Sequence, residues 1–290
     1  MIARWSVVLF ALVVACGGDD AGVTVIDAGD PDAPGDVDAA PVVIDAPVAL
    51  DSTAACVSPD SCGWIDDELR TIVAVLSGAQ PTPSGVTLVR RASPTERAAV
   101  RAYLTGALAR LGLTVEARSY GTGVNLVVRL PPTTGPDVGP AIVVGGHFDG
   151  VPASPAAADN ATGAAVAVVA AGYLAGRPRS HPIEIALFDQ EEVGLIGCGA
   201  CAAALAGAPI RSMHNFDMIS FDGDGDRAVE LWSPAPALEA LYRLHATGRG
   251  LTIQPVTFAL SDHESFGERG LPSVGVSEEF VANDHTPHYH

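Results

Sequence analysis

The sequence contains no lysine, and its 16 basic residues, all of them arginine, stand against 34 acidic ones. The formal net charge of −18 leaves no strongly basic face, so a nucleic acid is not expected as a partner. No apolar run approaches the roughly 20 residues that a transmembrane helix needs. The chain also lacks the G-x-S-x-G turn of many serine hydrolases, which weighs against that class although Ser261, Asp262 and His263 are consecutive.

The chain opens with features of an export signal. Arg4 precedes a largely apolar stretch, residues 5–14, that is too short to cross a bilayer. The segment Val13-Val14-Ala15-Cys16 resembles the lipobox of bacterial lipoproteins, although an ordinary signal peptide with an incidental cysteine is the alternative. Residues 1–16 are therefore predicted to be a lipoprotein signal segment, with a lipid on Cys16 as the chain's one membrane contact. We expect an exported protein, either secreted or in the cell envelope facing the periplasm or cell surface.

Residues 17–55 have a composition unlike the rest of the chain. They contain nine Asp, no Glu and no basic residue, with many Ala and Pro. Charge repulsion and proline both oppose a packed core, so this segment is predicted to be a disordered acidic linker. The remaining residues, 56–290, suit one α/β domain by their length.

Hydrophobic patterns in residues 56–290 alternate between helical and strand spacing. This alternation predicts a three-layer α/β domain whose central mixed, largely parallel sheet is flanked by helices. Ligands in such sheets bind beyond the carboxyl ends of the strands. Helices are predicted over 65–77, 94–111, 159–175, 195–206 and 236–247, and strands over 124–130, 141–146, 183–189, 214–219, 228–232, 252–258 and 273–277.

Histidines and carboxylates collect at the predicted strand ends. His147 and Asp149 follow one strand, Glu191 and Glu192 follow a second, and Asp217 lies at a third. Oxygen and nitrogen ligands of this kind suit zinc, and two zinc ions that share a carboxylate can activate a water between them. The other candidate ligands are Asp159, at a helix start, and His290, the final residue.

In this order the residues resemble the di-zinc exopeptidase family of bacterial leucyl-type aminopeptidases, glutamate carboxypeptidases and one-zinc glutaminyl cyclases. Six blocks between Gly146 and the last residue carry the resemblance, about half of the chain. They are Gly146-His147-Phe148-Asp149, Asp159-Asn160-Ala161-Thr162-Gly163, Glu191-Glu192-Val193-Gly194-Leu195, Asn215-Phe216-Asp217-Met218, Ser261-Asp262-His263 and Tyr289-His290.

The resemblance implies a role for each matching residue. Asp159 would bridge two zinc ions, one completed by His147 and Asp217 and the other by Glu192 and His290. A second set of three residues would serve the chemistry. Glu191 would be the general base for a hydroxide between the ions, Asp149 would orient the His147 ring, and Tyr289 would donate to the oxyanion.

The sequence departs from the family at two points. Ala158 stands where the family usually has a second acid before the bridging Asp, which alters the surroundings of the site but removes no ligand. The family normally continues past the final His, so the domain is expected to be truncated at its C-terminus. A catalytically inactive protein that binds peptides or metal is therefore one alternative.

The resemblance implies a metal-dependent exopeptidase that takes peptides as substrates and holds two zinc ions per chain. The acidic surroundings favour a substrate with a free α-amine, which makes an aminopeptidase the first expectation. Carboxypeptidase and glutaminyl cyclase-like activity on the same metal residues are the alternatives. Side-chain preference and oligomeric state are left open, with a monomer as the default.

Four cysteines beyond Cys16 allow three disulfide pairings. The favoured pairing joins Cys56 to Cys62 and Cys198 to Cys201, and pairing between the two sets is the alternative.

Residues 222–226, Asp-Gly-Asp-Gly-Asp, imitate the start of a calcium loop. Arg227 stands where that loop needs glycine, and Ser233 where it needs glutamate, so a solvated turn is predicted.

Overall fold

The computed structural model describes residues 62–290. The signal segment predicted over residues 1–16, the linker over 17–55 and Cys56 lie outside this range. Within it there are helices α1 (Gly63–Leu76), α2 (Pro94–Arg110), α3 (Thr162–Ala175), α4 (Ile196–Ala204), α5 (Pro236–Ala246) and α6 (His263–Gly267). The strands are β1 (Glu116–Tyr120), β2 (Gly123–Leu130), β3 (Ala141–His147), β4 (Ile183–Phe188), β5 (Ile210–Phe216), β6 (Ala228–Trp232), β7 (Thr252–Val256) and β8 (Ser273–Ser277).

The eight strands form one mixed sheet in the order β1-β2-β4-β3-β5-β8-β6-β7. The central pairs β4–β3, β3–β5 and β5–β8 are parallel, while β1–β2, β2–β4 and β6–β8 are antiparallel. This arrangement confirms the predicted α/β class. Strand β1 was not predicted, because its five residues Glu-Ala-Arg-Ser-Tyr are mostly polar and exposed.

Alternate residues of the central strands pack on opposite faces of the sheet, which produces the three layers. Ile142 and Val144 join the core that the sheet forms with α1, α2, α3 and α5. Val143, between them, joins a second core that includes Cys198 of α4 and Phe266 of α6.

Helix α3 lies at the centre of the larger core. All its residues from Thr162 to Leu174 are buried, and they are mostly Ala, Val and Gly. Small side chains allow α3 to contact strands β2 to β5 on one side and helices α1 and α2 on the other. Helix α2 begins as predicted, with Ser93 and Glu96 forming a capping box that contributes ~1 kcal/mol.

The predicted Cys198–Cys201 disulfide is wrong, because both residues carry free thiols. They lie three positions apart on α4, where Cβ atoms are about 5–6 Å apart and a disulfide needs about 3.5–4.5 Å. The Cys198 Sγ instead lies 3.0 Å from the Ser265 Oγ. Cys62 is disulfide-bonded, and its partner lies outside the described residues.

The turn predicted at residues 222–226 connects β5 to β6. Its middle and last aspartates, Asp224 and Asp226, are exposed. Within residues 62–290, no helix combines the length and apolar character that a bilayer span requires.

Candidate metal centre

Three adjacent parallel strands bring the candidate ligands to one edge of the sheet. His147 is the last residue of β3, and it is paired in register with Phe188, the last residue of β4. The loop after Phe188 carries Glu191 and Glu192. Asp217 directly follows β5, the neighbour of β3 on its other side. The backbones of β3 and β5 approach closely at Gly146, since a Cβ there would lie 2.7 Å from the Phe216 carbonyl oxygen.

Asp159 lies in an irregular turn that precedes α3. The sequence predicted helix from this residue onward, but the regular helix begins at Thr162, and residues 157–161 form a single wider turn. Asp159 has extended backbone angles, φ −107° and ψ 95°. The buried side chain of Asn160 holds the turn in place, donating to the Phe216 carbonyl at 2.8 Å and accepting from the Gly163 amide at 2.7 Å.

The first candidate metal group consists of His147, Asp159 and Asp217, all buried. The His147 Nε2 lies 3.1 Å from Asp159 Oδ1 and 3.6 Å from Asp217 Oδ1.

The second group consists of Asp159, Glu192 and His290. The His290 Nε2 lies 3.0 Å from Asp159 Oδ2 and 3.5 Å from Glu192 Oε2. Asp159 belongs to both groups and presents a different oxygen to each.

Glu191 belongs to a third group that includes His147 and Glu192. Its Oε2 lies 3.9 Å from the His147 Nε2, and its side chain is 11% exposed. The structure thus brings together seven of the eight predicted site residues, with Asp159 at the centre and Asp149 behind His147.

Asp149 connects the two predicted ligand loops. Its Oδ1 lies 3.4 Å from the His147 Nδ1 and accepts a hydrogen bond from the Glu191 amide at 3.0 Å. Its Oδ2 accepts from the Glu192 amide at 3.3 Å. One carboxylate therefore orients both a histidine ring and the turn that carries the two glutamates.

No role was predicted for Ser261 or Asn215, although both lie in the matching blocks. The Ser261 hydroxyl donates to Asp217 Oδ2 at 2.6 Å, and the Asn215 amide donates to the Ser261 oxygen at 2.7 Å. This chain of hydrogen bonds fixes the Asp217 carboxylate so that its other oxygen faces His147.

The eighth predicted residue, Tyr289, is half-buried beside the second group. Its ring centre is 4.7 Å from that of His290 and 5.3 Å from that of Phe280, which it meets edge to face. The contacts of its ring are therefore those of an aromatic cluster that also includes His285.

Two buried carboxylates hold the segment that leads to His290. Glu230 accepts hydrogen bonds from the amides of Val281 and Ala282, at 3.0 Å and 2.7 Å. Glu278 accepts from the Thr286 amide at 2.9 Å and, with its other oxygen, from the Phe221 amide at 2.9 Å.

Crowding of buried acids dominates the electrostatics. Burial raises the pKa of Glu191 to about 10; His147 opposes this rise, and the carboxylates of Asp262, Asp217 and Asp159 add to it. Burial and the Asp159 charge raise the pKa of Glu192 to about 7. Burial opposes charging of His147, but the surrounding carboxylates raise its pKa well above the usual value. The crowded acids thus favour their protonated forms on their own, and bound cations would favour the ionised forms.

The donor atoms fit metal ions. Among residues 62–290, no hydrogen-bond partner reaches His147 Nε2, Asp159 Oδ1, Asp217 Oδ1 or Glu192 Oε1, although all four atoms are buried. Buried polar atoms are normally paired, and imidazole nitrogens with carboxylate oxygens are a donor set that zinc accepts. The residues present therefore fit zinc.

Comparison with known proteins places this site in a family. The model described as Peptidase family M28 matches residues 125–290, more than half of the chain. Leucine aminopeptidase 2 of Trichophyton equinum is 29% identical over 158 residues, which are 50% of this chain and 32% of that protein. The chain thus spans about a third of the length of the curated relatives it matches.

Solved structures share the fold. The Legionella pneumophila LapA aminopeptidase matches with a TM-score of 0.64 at 21% identity, over 76% of this chain and 63% of that chain. BSAP, a zinc aminopeptidase from Bacillus subtilis, matches with a TM-score of 0.54 at 22% identity, over 60% of this chain and 45% of that chain. The Porphyromonas gingivalis glutaminyl cyclase matches with a TM-score of 0.56 at 16% identity, over 77% of this chain and 87% of that chain. The family model covers every candidate metal ligand, and this chain belongs to peptidase family M28.

Proposed function

We propose that this chain is a zinc-dependent aminopeptidase that hydrolyses N-terminal residues from peptides. The observation that carries the proposal is the Asp159 carboxylate, which presents one oxygen to His147 and the other to His290. Paired metal sites of this kind occur in aminopeptidases. The leucine aminopeptidases among its relatives support the same activity.

In this proposal, His147, Asp159 and Asp217 hold one zinc ion, and Asp159, Glu192 and His290 hold the other. When bound, the two ions would polarise the scissile carbonyl and lower the pKa of water. The residues of the chain then supply orientation and proton transfer.

Glu191 is proposed as the general base and acid. It takes a proton from the attacking water and delivers it to the departing amine. Asp149 supports this role because it holds the Glu191 amide at 3.0 Å and so fixes the turn below the carboxyl group. Tyr289 is proposed to donate a hydrogen bond to the developing oxyanion, and its place beside His290 supports that role.

Charge at the site favours an aminopeptidase over a carboxypeptidase. Recognition of a C-terminal carboxylate needs a cation, usually arginine with free donors. Within residues 62–290, the ion pairs of Asp159, Glu191, Glu192 and Asp217 join them to histidines. The buried Arg91 nearby uses its donors on backbone carbonyls. Acidic side chains instead suit a protonated α-amine.

We further propose that the protein is exported and anchored by a lipid on Cys16. The lipobox-like segment over residues 13–16 supports this proposal. Metabolic labelling with a radioactive fatty acid would mark the full-length protein and would not mark the variant Cys16→Ala. Labelling of both, or of neither, would argue against the anchor.

The proposed aminopeptidase activity is tested by measuring zinc content and peptide hydrolysis on the same sample of the full chain. We expect about two zinc ions per chain, hydrolysis of leucine p-nitroanilide, and loss of that activity on chelation. Cyclisation of an N-terminal glutamine peptide, with about one zinc per chain, would instead indicate a cyclase. Hydrolysis confined to C-terminal residues would indicate a carboxypeptidase.

A further inference from the structure

Arg91 is a buried cation that the proposed mechanism does not use. Along the sequence it lies in the segment that joins α1 to α2, and none of its surface is exposed. Full burial of an arginine is rare, because the charge loses its hydration and needs other polar partners. Burial lowers the pKa of Arg91 to about 10, so the guanidinium stays protonated at neutral pH.

The partners of Arg91 are all main-chain carbonyls. Nε donates to Phe148, Nη1 to Leu76 and Pro155, and Nη2 to Ala156, each at 2.7 Å. Four of the five N–H donors of the guanidinium are thus used. No ion pair within 4.0 Å joins Arg91 to a carboxylate in the range 62–290, so its role differs from that of a salt bridge.

Three of these four carbonyls lie on the connection from β3 to the Asp159 turn. Phe148 stands between His147 and Asp149, while Pro155 and Ala156 precede Asp159 by four and three positions. One planar group therefore links the two ends of this connection, and each end carries a candidate metal ligand. The fourth carbonyl, that of Leu76, ties the connection to the end of α1.

The connection closes tightly on itself beside Arg91. A Cβ added at Gly150 would lie 2.5 Å from the Ala156 Cβ and 3.7 Å from the Arg91 Nη2. Ala156 itself has a left-handed backbone, φ 53°, which an L-residue adopts only under constraint. The carbonyls of this residue and its predecessor accept two of the hydrogen bonds that Arg91 donates.

We propose that Arg91 is a positioning residue for the metal centre, holding the ends of the 148–156 connection so that His147 and Asp159 can share one ion. This inference rests on the proposed zinc-dependent function. Its chemistry requires arginine, since a lysine ammonium is a single point with three donors and cannot span four carbonyls in one plane.

The test compares Arg91→Lys with Arg179→Lys in the full chain. Arg179 also donates to main-chain carbonyls, those of Pro131, Leu174, Ala175 and Arg177, but far from the ligands along the chain. Zinc affinity is measured by competition with a chelating dye, and ligand geometry by the absorption spectrum of the cobalt(II)-substituted protein. We expect roughly 10- to 100-fold weaker zinc binding and an altered cobalt spectrum for Arg91→Lys. Arg179→Lys should match the wild type in both.

Wild-type affinity and an unchanged spectrum in Arg91→Lys would overturn the inference. If that variant does not fold, Gly150→Ala provides the test. Its added methyl would push the two ends of the 148–156 connection apart while Arg91 is kept. Zinc binding of Gly150→Ala should then be weakened, and unchanged binding would overturn the inference. A wild-type protein that binds no zinc would instead refute the proposed function, which keeps the two failures distinct.

Discussion

The carboxylate of Asp159 lies between two histidines, with Oδ1 3.1 Å from the His147 Nε2 and Oδ2 3.0 Å from the His290 Nε2. Burial opposes ionisation of this carboxyl, but its close contacts with the two histidines hold its pKa well below the usual range. Asp159 is therefore ionised and shared, and the two halves of the site depend on one side chain.

Asp159→Asn should remove both metal positions, whereas Asp217→Asn and Glu192→Gln should each remove one. An amide keeps the shape of the side chain but removes the charge that a shared cation pair needs. Zinc per chain, measured by elemental analysis after dialysis, should fall from about two to near zero for Asp159→Asn and to about one for the others.

The matched control is Asp137→Asn, because Asp137 is an exposed aspartate paired with Arg129. It should keep the full zinc content. Loss of a single zinc in Asp159→Asn, with the second ion retained, would contradict the shared position.

Glu191→Gln should abolish turnover while the zinc content stays unchanged. The amide cannot carry the proton between water and the departing amine, and the loss of a general base typically costs about 10²- to 10⁴-fold in rate. The kcat for leucine p-nitroanilide and the zinc content of the same preparation check this prediction. Glu268→Gln, an exposed glutamate, is the control. Zinc loss in Glu191→Gln would move Glu191 from the proton-transfer role to a ligand role.

The sequence was most informative where regular strands end at a functional residue. His147 ends a strand of small and apolar residues, as its sequence indicates. Asp217 was expected inside a strand over 214–219, but the strand runs from Ile210 to Phe216 and Asp217 directly follows it. The carboxyl ends of neighbouring parallel strands meet at one edge, so the meeting of these residues followed from the topology.

The sequence was least informative where a side chain acts on backbone far along the chain. Nothing local marks Arg91 as buried, since its four acceptors are carbonyls at positions 76, 148, 155 and 156. Asp159 was expected to begin a helix of small residues, whereas contacts of Asn160 with β5 and α3 hold this turn open. Cys198 and Cys201 suggested a disulfide by spacing alone, and the helix that carries them prevents it.

Cysteine labelling should follow the observed thiol states. Iodoacetamide should label neither Cys198 nor Cys201 in the native chain, because both are buried and burial raises the pKa of Cys201 to about 12. Both should be labelled after unfolding without reductant, whereas Cys62 should need prior reduction. Peptide mass spectrometry checks each site, with a fully reduced sample as the control. A peptide linking Cys198 to Cys201 would contradict the structure.

His214 should make the zinc-free protein sensitive to acid. Burial lowers its pKa to about 3, and its ring nitrogens meet the Tyr242 hydroxyl at 3.1 Å and the Ser212 hydroxyl at 2.9 Å. Since the unfolded chain binds this proton near pH 6.5 and the folded chain does not, the contribution of His214 to stability is present in full above pH 6.5. It should be lost by about 1.4 kcal/mol per pH unit as the pH falls towards 3.

Urea unfolding of chelated protein between pH 6 and pH 4 measures this slope. His214→Gln should have a shallower fall in its free energy of unfolding, by about 1.4 kcal/mol per pH unit, whatever its stability at neutral pH. His288→Gln, which changes an exposed histidine, should keep the wild-type slope. Equal slopes for His214→Gln and the wild type would mean that His214 takes up its proton in the folded chain.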